Sequence, residues 1–189
     1  IPDASLTLSD GTLGLVLVGN IFGFEPHSRY LPDRRDLNRS FPGIEHGSLA
    51  GRLAWSIFEQ VTRRCDFGID LHTAAVRRTN FPNIRADLTD ARIASFARVF
   101  GTELIVNSKG PKGSLRNSAS NIGCATILLE AGEVWKVEPS IVEYSIRGIE
   151  NCLQSLKMVH GSPTEPEYRI ETDTTKWIRA QHGGFLEYH

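Results

Sequence analysis

The sequence predicts an α/β domain with a largely parallel sheet and helices on both of its faces. Short apolar runs, rich in β-branched residues, recur at residues 13–19, 65–71, 103–106 and 124–129. Near-continuous runs of this kind suit strands covered on two sides. Stretches of helical period separate most of them. The resulting order, strand, helix, strand, helix, strand, strand, long helix, is that of a sheet joined by crossover connections.

The first run, L-G-L-V-L-V-G at 13–19, is expected to form a buried strand after a turn at Gly11. An irregular loop follows to residue 43. Its arginine-rich part, R-Y-L-P-D-R-R-D-L-N-R-S-F-P-G at 29–43, carries apolar residues only singly, and Pro32 and Pro42 oppose regular pairing. Composition alone fits solvated charge as well as a surface that meets an anion. Residues 48–64 read as a helix: Ser48 can cap it, Leu49, Leu53, Ile57 and Val61 recur every four residues, and Trp55 and Phe58 widen the face. The strand at 65–71 runs into His72-Thr73-Ala74. Residues 76–86, rich in Arg, Asn and Pro, are expected to be loop.

A second helix over 89–100 places Ile93, Phe96, Ala97 and Phe100 on one face, and Gly101 closes it. N-S-K-G-P-K-G at 107–113 is a loop, and 115–121 has the makings of a short helix. The strand at 124–129 ends in Glu130-Ala131-Gly132. The last long helix starts near Pro139 and carries Ile141, Val142, Ile146, Ile149, Leu153 and Leu156. G-S-P-T-E-P at 161–166 reads as a linker, which divides an α/β domain at 1–160 from residues 161–189, the beginning of a β unit.

With 189 residues, 40% hydrophobic and 23% charged, the chain can build one substantial core. A formal net charge of -1 gives no electrostatic case for nucleic acid or an anionic membrane. The longest apolar run is too short to span a bilayer, and I-P-D-A at the start lacks the basic and apolar parts of a leader. Cys65, Cys124 and Cys152 are scattered and form no C-x-x-C pair. That pattern argues for reduced core thiols in a cytoplasmic setting. Self-assembly is left open.

Two strand ends carry chemistry. His72 follows one buried apolar run, where a hydrogen-bonded structural histidine is the commoner occupant. Glu130 follows another, and an unpaired carboxylate there is costly, so it requires a partner or a task. Asp70 either orients His72 or bonds the backbone. Lys109 and Lys112 flank a Gly-Pro turn that reads as solvated, with closure over a ligand as the alternative.

D-L-N-R-S-F-P-G at 36–43, D-L-H-T at 70–73, G-S-L-R at 113–116 and L-L-E-A-G at 128–132 occur in that order. Together they resemble the succinylglutamate desuccinylase/aspartoacylase family, a branch of the zinc carboxypeptidase-like hydrolases. W-I-R-A-Q-H-G-G-F at 177–185 is similar to the start of that family's C-terminal β domain. The resemblance implies a zinc-carboxypeptidase-like fold and a zinc-dependent deacylase of a small N-acyl amino acid or related carboxylate. By the same resemblance His72 would be a zinc ligand and Glu130 the general base. Arg29 would stabilise the oxyanion, Asn38 and Arg39 would hold a substrate carboxylate, and Arg116 would add a further contact. The family's other two zinc ligands come from an H-G-x-E motif before the strand at 13–19, which this sequence lacks. The expectation is therefore a piece that is inactive alone, with two Zn2+ ligands expected upstream of Ile1 and most of the β domain absent. The alternatives are a metallocarboxypeptidase acting on peptides and a non-catalytic relative that kept the anion-binding arginines.

Overall fold

A computed structural model describes residues 7–184. Its sheet contains β1 (Phe67–His72), β2 (Thr79–Ala86), β3 (Leu104–Asn107), β4 (Ala125–Glu133) and β5 (Ile170–Thr172), in the order β1-β4-β2-β3-β5. The pairs β1/β4, β2/β3 and β3/β5 are parallel, and β2/β4 is antiparallel. The helices are α1 (Ile21–Phe24), α2 (Leu49–Gln60), α3 (Ala91–Val99), α4 (Leu115–Ser120) and α5 (Pro139–Ser155).

Strand β4 lies inside the sheet, between β1 and β2, because its sequence can be buried on both faces. Ala125, Ile127, Leu129 and Ala131 enter the main core with Ile84, Ala86 and Ile105 of the sheet, Ile93, Phe96 and Ala97 of α3, Phe100 just past its end and Cys152 of α5. Strand alternation turns Thr126, Leu128 and Glu130 to the opposite face. A second cluster joins Leu31, Leu37 and Phe41 of the arginine-rich loop to Ala50, Ala54 and Phe58 of α2. The helix starts are chemically specified: Ser48 accepts from the Gly51 N–H at 3.2 Å, Asp90 from Arg92 and Ile93, and Ser114 from Asn117. Helix α5 begins on Pro139, which has no N–H to satisfy.

Several expectations from sequence need correction. Residues 13–19 form no strand. Leu15 is 72% and Leu17 91% exposed, and no described strand lies beside them to complete a hydrogen-bond ladder. The expected loop at 76–86 contains β2, which is hidden in sequence because a bulge between Asn80 and Asn83 absorbs Pro82 and breaks the alternation. Strand β4 continues to Glu133, so Glu130 lies within it. Helix α2 stops at Gln60 before a 3-10 turn at Thr62–Arg64. Its fully buried face is Ala50, Gly51, Ala54 and Phe58, while Leu49, Leu53 and Ile57 pack only partly buried against it.

The linker at 161–166 is held to α5 by Asn151, whose side chain donates to Thr164 O at 3.1 Å and accepts from Thr164 N at 2.9 Å. Beyond it, Ile170–Thr172 extends the same sheet beside β3, secured by a bidentate Arg98–Glu171 pair at 2.7 and 2.9 Å. Phe185, the last residue of the 177–185 motif, and His189 lie outside the described residues, as does Ile1. All three cysteines are free, and burial pushes the Cys152 thiol up to about 12. Among the described residues no helix is long and apolar enough to cross a membrane.

Helix α5 meets Phe100 through Gly148, where a Cβ would lie 2.1 Å from Phe100 Cε1 and 2.3 Å from Cζ. In an open helix, Gly→Ala would gain about 1 kcal/mol. Here overpacking against a buried ring outweighs that gain, so Gly148→Ala should destabilise by about 1–2 kcal/mol in urea unfolding. A more stable variant would contradict the close approach.

Candidate active site

The parallel β1/β4 pairing sets His72 beside Glu130 and Asp70 beside Leu128. Partners in register project to the same side of a sheet, so Asp70, His72 and Glu130 share the face opposite the main core. Asp70 Oδ2 lies 3.0 Å from His72 Nε2, which settles its choice between ring and backbone. Burial opposes a charge on His72, but the hydrogen bond and charge of Asp70, with Glu130 in support, outweigh it, and the pKa is raised above 6.5. Arg29 pulls in the opposite direction, which places it within electrostatic reach of the imidazole.

Strand β2 supplies the other flank. Asn80 Nδ2 donates to Glu130 Oε2 at 2.7 Å, and Arg85 Nε lies 3.8 Å from Oε1. Asn83 is 9% exposed; its Nδ2 donates to Phe81 O at 2.8 Å, while its Oδ1 is buried with no partner. None of these three was singled out from sequence, because they stand in the stretch expected to be loop. The available signal was the pair of asparagines around Phe81-Pro82 followed by the I-R-A alternation.

Helix α4 brings Arg116, only 4% exposed, over the same face. Its Nη1 donates to the Ser108 carbonyl. Desolvation, with Arg85 adding repulsion, lowers its pKa to about 10, and Asp70, Asp87 and Glu130 offset part of that cost. It remains a cation at neutral pH.

The arginine-rich loop is a clasp rather than a solvated arm. Asp33 accepts from the Ala50 N–H at 2.9 Å, and Phe41 N donates to Gly113 O at 2.9 Å. Gly43 adopts φ +95°, and a Cβ there would meet Trp55 N at 2.0 Å, so only glycine lets the loop lie this close to α2. Asn38 uses its Oδ1 to accept from Leu115 N at 2.8 Å, tying the loop to α4. Arg39 is exposed and donates to Asn38 O. Arg29 is also exposed, and its Nε and Nη2 hold Asp36 Oδ2 at 2.9 and 2.8 Å. Lys109 is exposed, 3.9 Å from Asp87. The structure thus gathers His72, Glu130 and Arg116, sets Arg29 nearby, and uses Asn38 in the attachment of the loop.

A catalytic zinc takes three protein ligands. Among the described residues no group of three or more His, Cys, Asp or Glu side chains is arranged to hold a metal. His72 offers one imidazole, already bonded to Asp70, and the Glu130 carboxylate is engaged by β2. These residues do not fit such a site by themselves.

Residues 5–156 match the succinylglutamate desuccinylase/aspartoacylase catalytic domain. The chain is 24% identical over 166 residues to the N-alpha-acetyl-L-2,4-diaminobutyric acid deacetylase of Halomonas elongata, covering 82% of this chain and 48% of that one. Among solved structures, a succinylglutamate desuccinylase/aspartoacylase from Rhodobacter sphaeroides superposes with a TM-score of 0.70 at 26% identity, over 77% of this chain and 45% of that one. The product-bound ectoine utilization protein EutE (DoeB) from Ruegeria pomeroyi gives a TM-score of 0.77 at 20% identity, over 86% and 52%. The chain spans about half the length of the relatives it matches.

Because the folded pKa of His72 is raised, its contribution to stability is complete below pH 6.5 and is lost as pH rises through the folded value. Asp70→Asn removes the partner charge, so the His72 pKa followed by NMR should fall and the decline in stability above pH 6.5 should flatten. An unchanged His72 titration would contradict the pairing.

Proposed function

Because the chain belongs to the succinylglutamate desuccinylase/aspartoacylase family, we propose that the whole protein is a zinc-dependent amide hydrolase that deacylates a small N-acyl amino acid or related carboxylate. Supporting this is one observation above the others. Glu130, His72 and Arg116 converge on one sheet face, where the half-buried Glu130 carboxylate lies 3.8 Å from Arg85 and within electrostatic reach of the buried Arg116 guanidinium. That combination suits proton transfer next to an anionic ligand.

In this reading Glu130 takes a proton from the attacking water as its oxygen bonds to the amide carbon. The carbon–nitrogen bond then breaks, and Glu130 returns the proton to the leaving amine. Arg29 faces the developing oxyanion with Nη1, its Nε and Nη2 being on Asp36. Arg39 and the Nδ2 of Asn38 hold the substrate carboxylate, and Arg116 adds a further contact from the sheet face. Arginine suits this because its planar fork makes two parallel bonds to a carboxylate. His72 would be one ligand of the metal, with the rest contributed from outside the described residues. Three free cysteines accord with a reducing, cytoplasmic compartment.

In the full-length protein, Glu130→Gln should leave zinc content intact and lower kcat roughly 100-fold or more. His72→Ala should lower zinc content, read by elemental analysis. Near-normal turnover in the first variant removes Glu130 from the base role, and unchanged metal in the second removes His72 from ligation.

A further inference from the structure

The bulge in β2 has a geometric consequence at Glu130. Asn83 lies opposite Glu130 and Asn80 opposite Gly132, so three steps along β2 match two along β4. In a regular ladder, residues three apart point to opposite faces. The extra residue cancels that difference. Asn80 and Asn83 therefore both come to the face of Glu130, while Phe81 is left 61% exposed. Bulges of this kind re-aim side chains next to active sites.

The re-aimed Asn80 makes the shortest polar contact to the Glu130 carboxylate, Nδ2 to Oε2 at 2.7 Å. An ionised carboxylate only accepts, so the amide nitrogen must face it. Arg85, from the regular part of β2, remains 3.8 Å from Oε1, beyond hydrogen-bonding distance. Among the described residues Asn80 is the one side chain hydrogen-bonded to this carboxylate.

We propose that Asn80 is a positioning residue for the reaction, delivered by the β2 bulge, which pins Oε2 of Glu130 so that Oε1 is presented to the attacking water. The inference rests on the proposed base role of Glu130. Asn80 touches no reacting atom. It fixes the rotamer of the group that does, and it divides the two oxygens between anchoring and proton transfer. A neutral donor holds Oε2 without adding a second cation to the Arg85 guanidinium that already lies 3.8 Å from Oε1.

The test is steady-state kinetics of the full-length enzyme on an N-acetyl amino acid that it hydrolyses, alone and in the Glu130→Gln background. Asn80→Ala and the near-isosteric Asn80→Asp should each lower kcat about 10- to 100-fold, the range expected from losing a hydrogen bond to a charged group, with KM within about threefold of the parent. Asn80→Gln, which keeps the donor, should recover part of kcat. In the Glu130→Gln background, Asn80→Ala should cause no further loss, because the group it positions is gone. Circular dichroism and urea midpoints separate misfolding from mispositioning, and if Asn80→Ala fails to fold, Asn80→Asp and Asn80→Gln carry the comparison. If Glu130→Gln is impaired while folded Asn80 variants keep parental kcat, the inference is overturned and the base role stands. If Glu130→Gln itself turns over normally, the base reading fails, and this one with it.

Discussion

The register of β1 against β4 is the constraint on which the candidate site depends, because it places His72 beside Glu130 and sends both to the face that the main core does not use. The core fixes that register. Ala125, Ile127, Leu129 and Ala131 must face α3 and α5, and a slip of one residue would exchange them with Thr126, Leu128 and Glu130. A charge would then enter the core and a row of apolar side chains would leave it. Burial of the odd-numbered positions is what holds the even-numbered chemistry in place.

Around that register the sheet face balances its charges. Asp70, Asp87 and Glu130 lie within electrostatic reach of Arg116, whose side chain is nearly sequestered from water, and Arg85 stands at the rim. Burial raises the cost of every unpaired charge, so each group is stable only in the company of the others. The same company shifts His72 upward and Arg116 downward. The arginine-rich loop closes one side of this arrangement. Asp33 fastens it to α2, and Asn38 and the Phe41 amide fasten it to α4 and the segment before it, so Arg29 and Arg39 stand on an ordered edge.

Strands β1 and β4 were legible because they announce themselves as apolar runs ending in polar residues, and the start of α2 because Ser48 is a chemical cap. The signal failed where its physical basis was not local. The run at 13–19 states which residues favour burial, but a strand also needs a neighbour, and sequence does not say which one is present. Strand β2 failed for the opposite reason: it has its neighbours, but Pro82 and the bulge erase the alternation. The same bulge concealed Asn80, Asn83 and Arg85, so half of the environment of Glu130 lay in a stretch that looked irregular. Of the residues suggested by family resemblance, His72, Glu130 and Arg116 converge, whereas Asn38 is occupied in fastening the loop and Arg39 lies at its exposed edge.

The central claim is that one sheet face, rimmed by Glu130, His72 and Arg116, receives the substrate. An experimental structure of the full-length protein with the products of a hydrolysed N-acyl amino acid bound would test it most directly. The account predicts the amino acid's carboxylate within hydrogen-bonding distance of Arg39 and Asn38, with Arg116 in reach, and its free amine facing Glu130. Products bound away from this face, with Glu130 and Arg116 contacting neither, would contradict it.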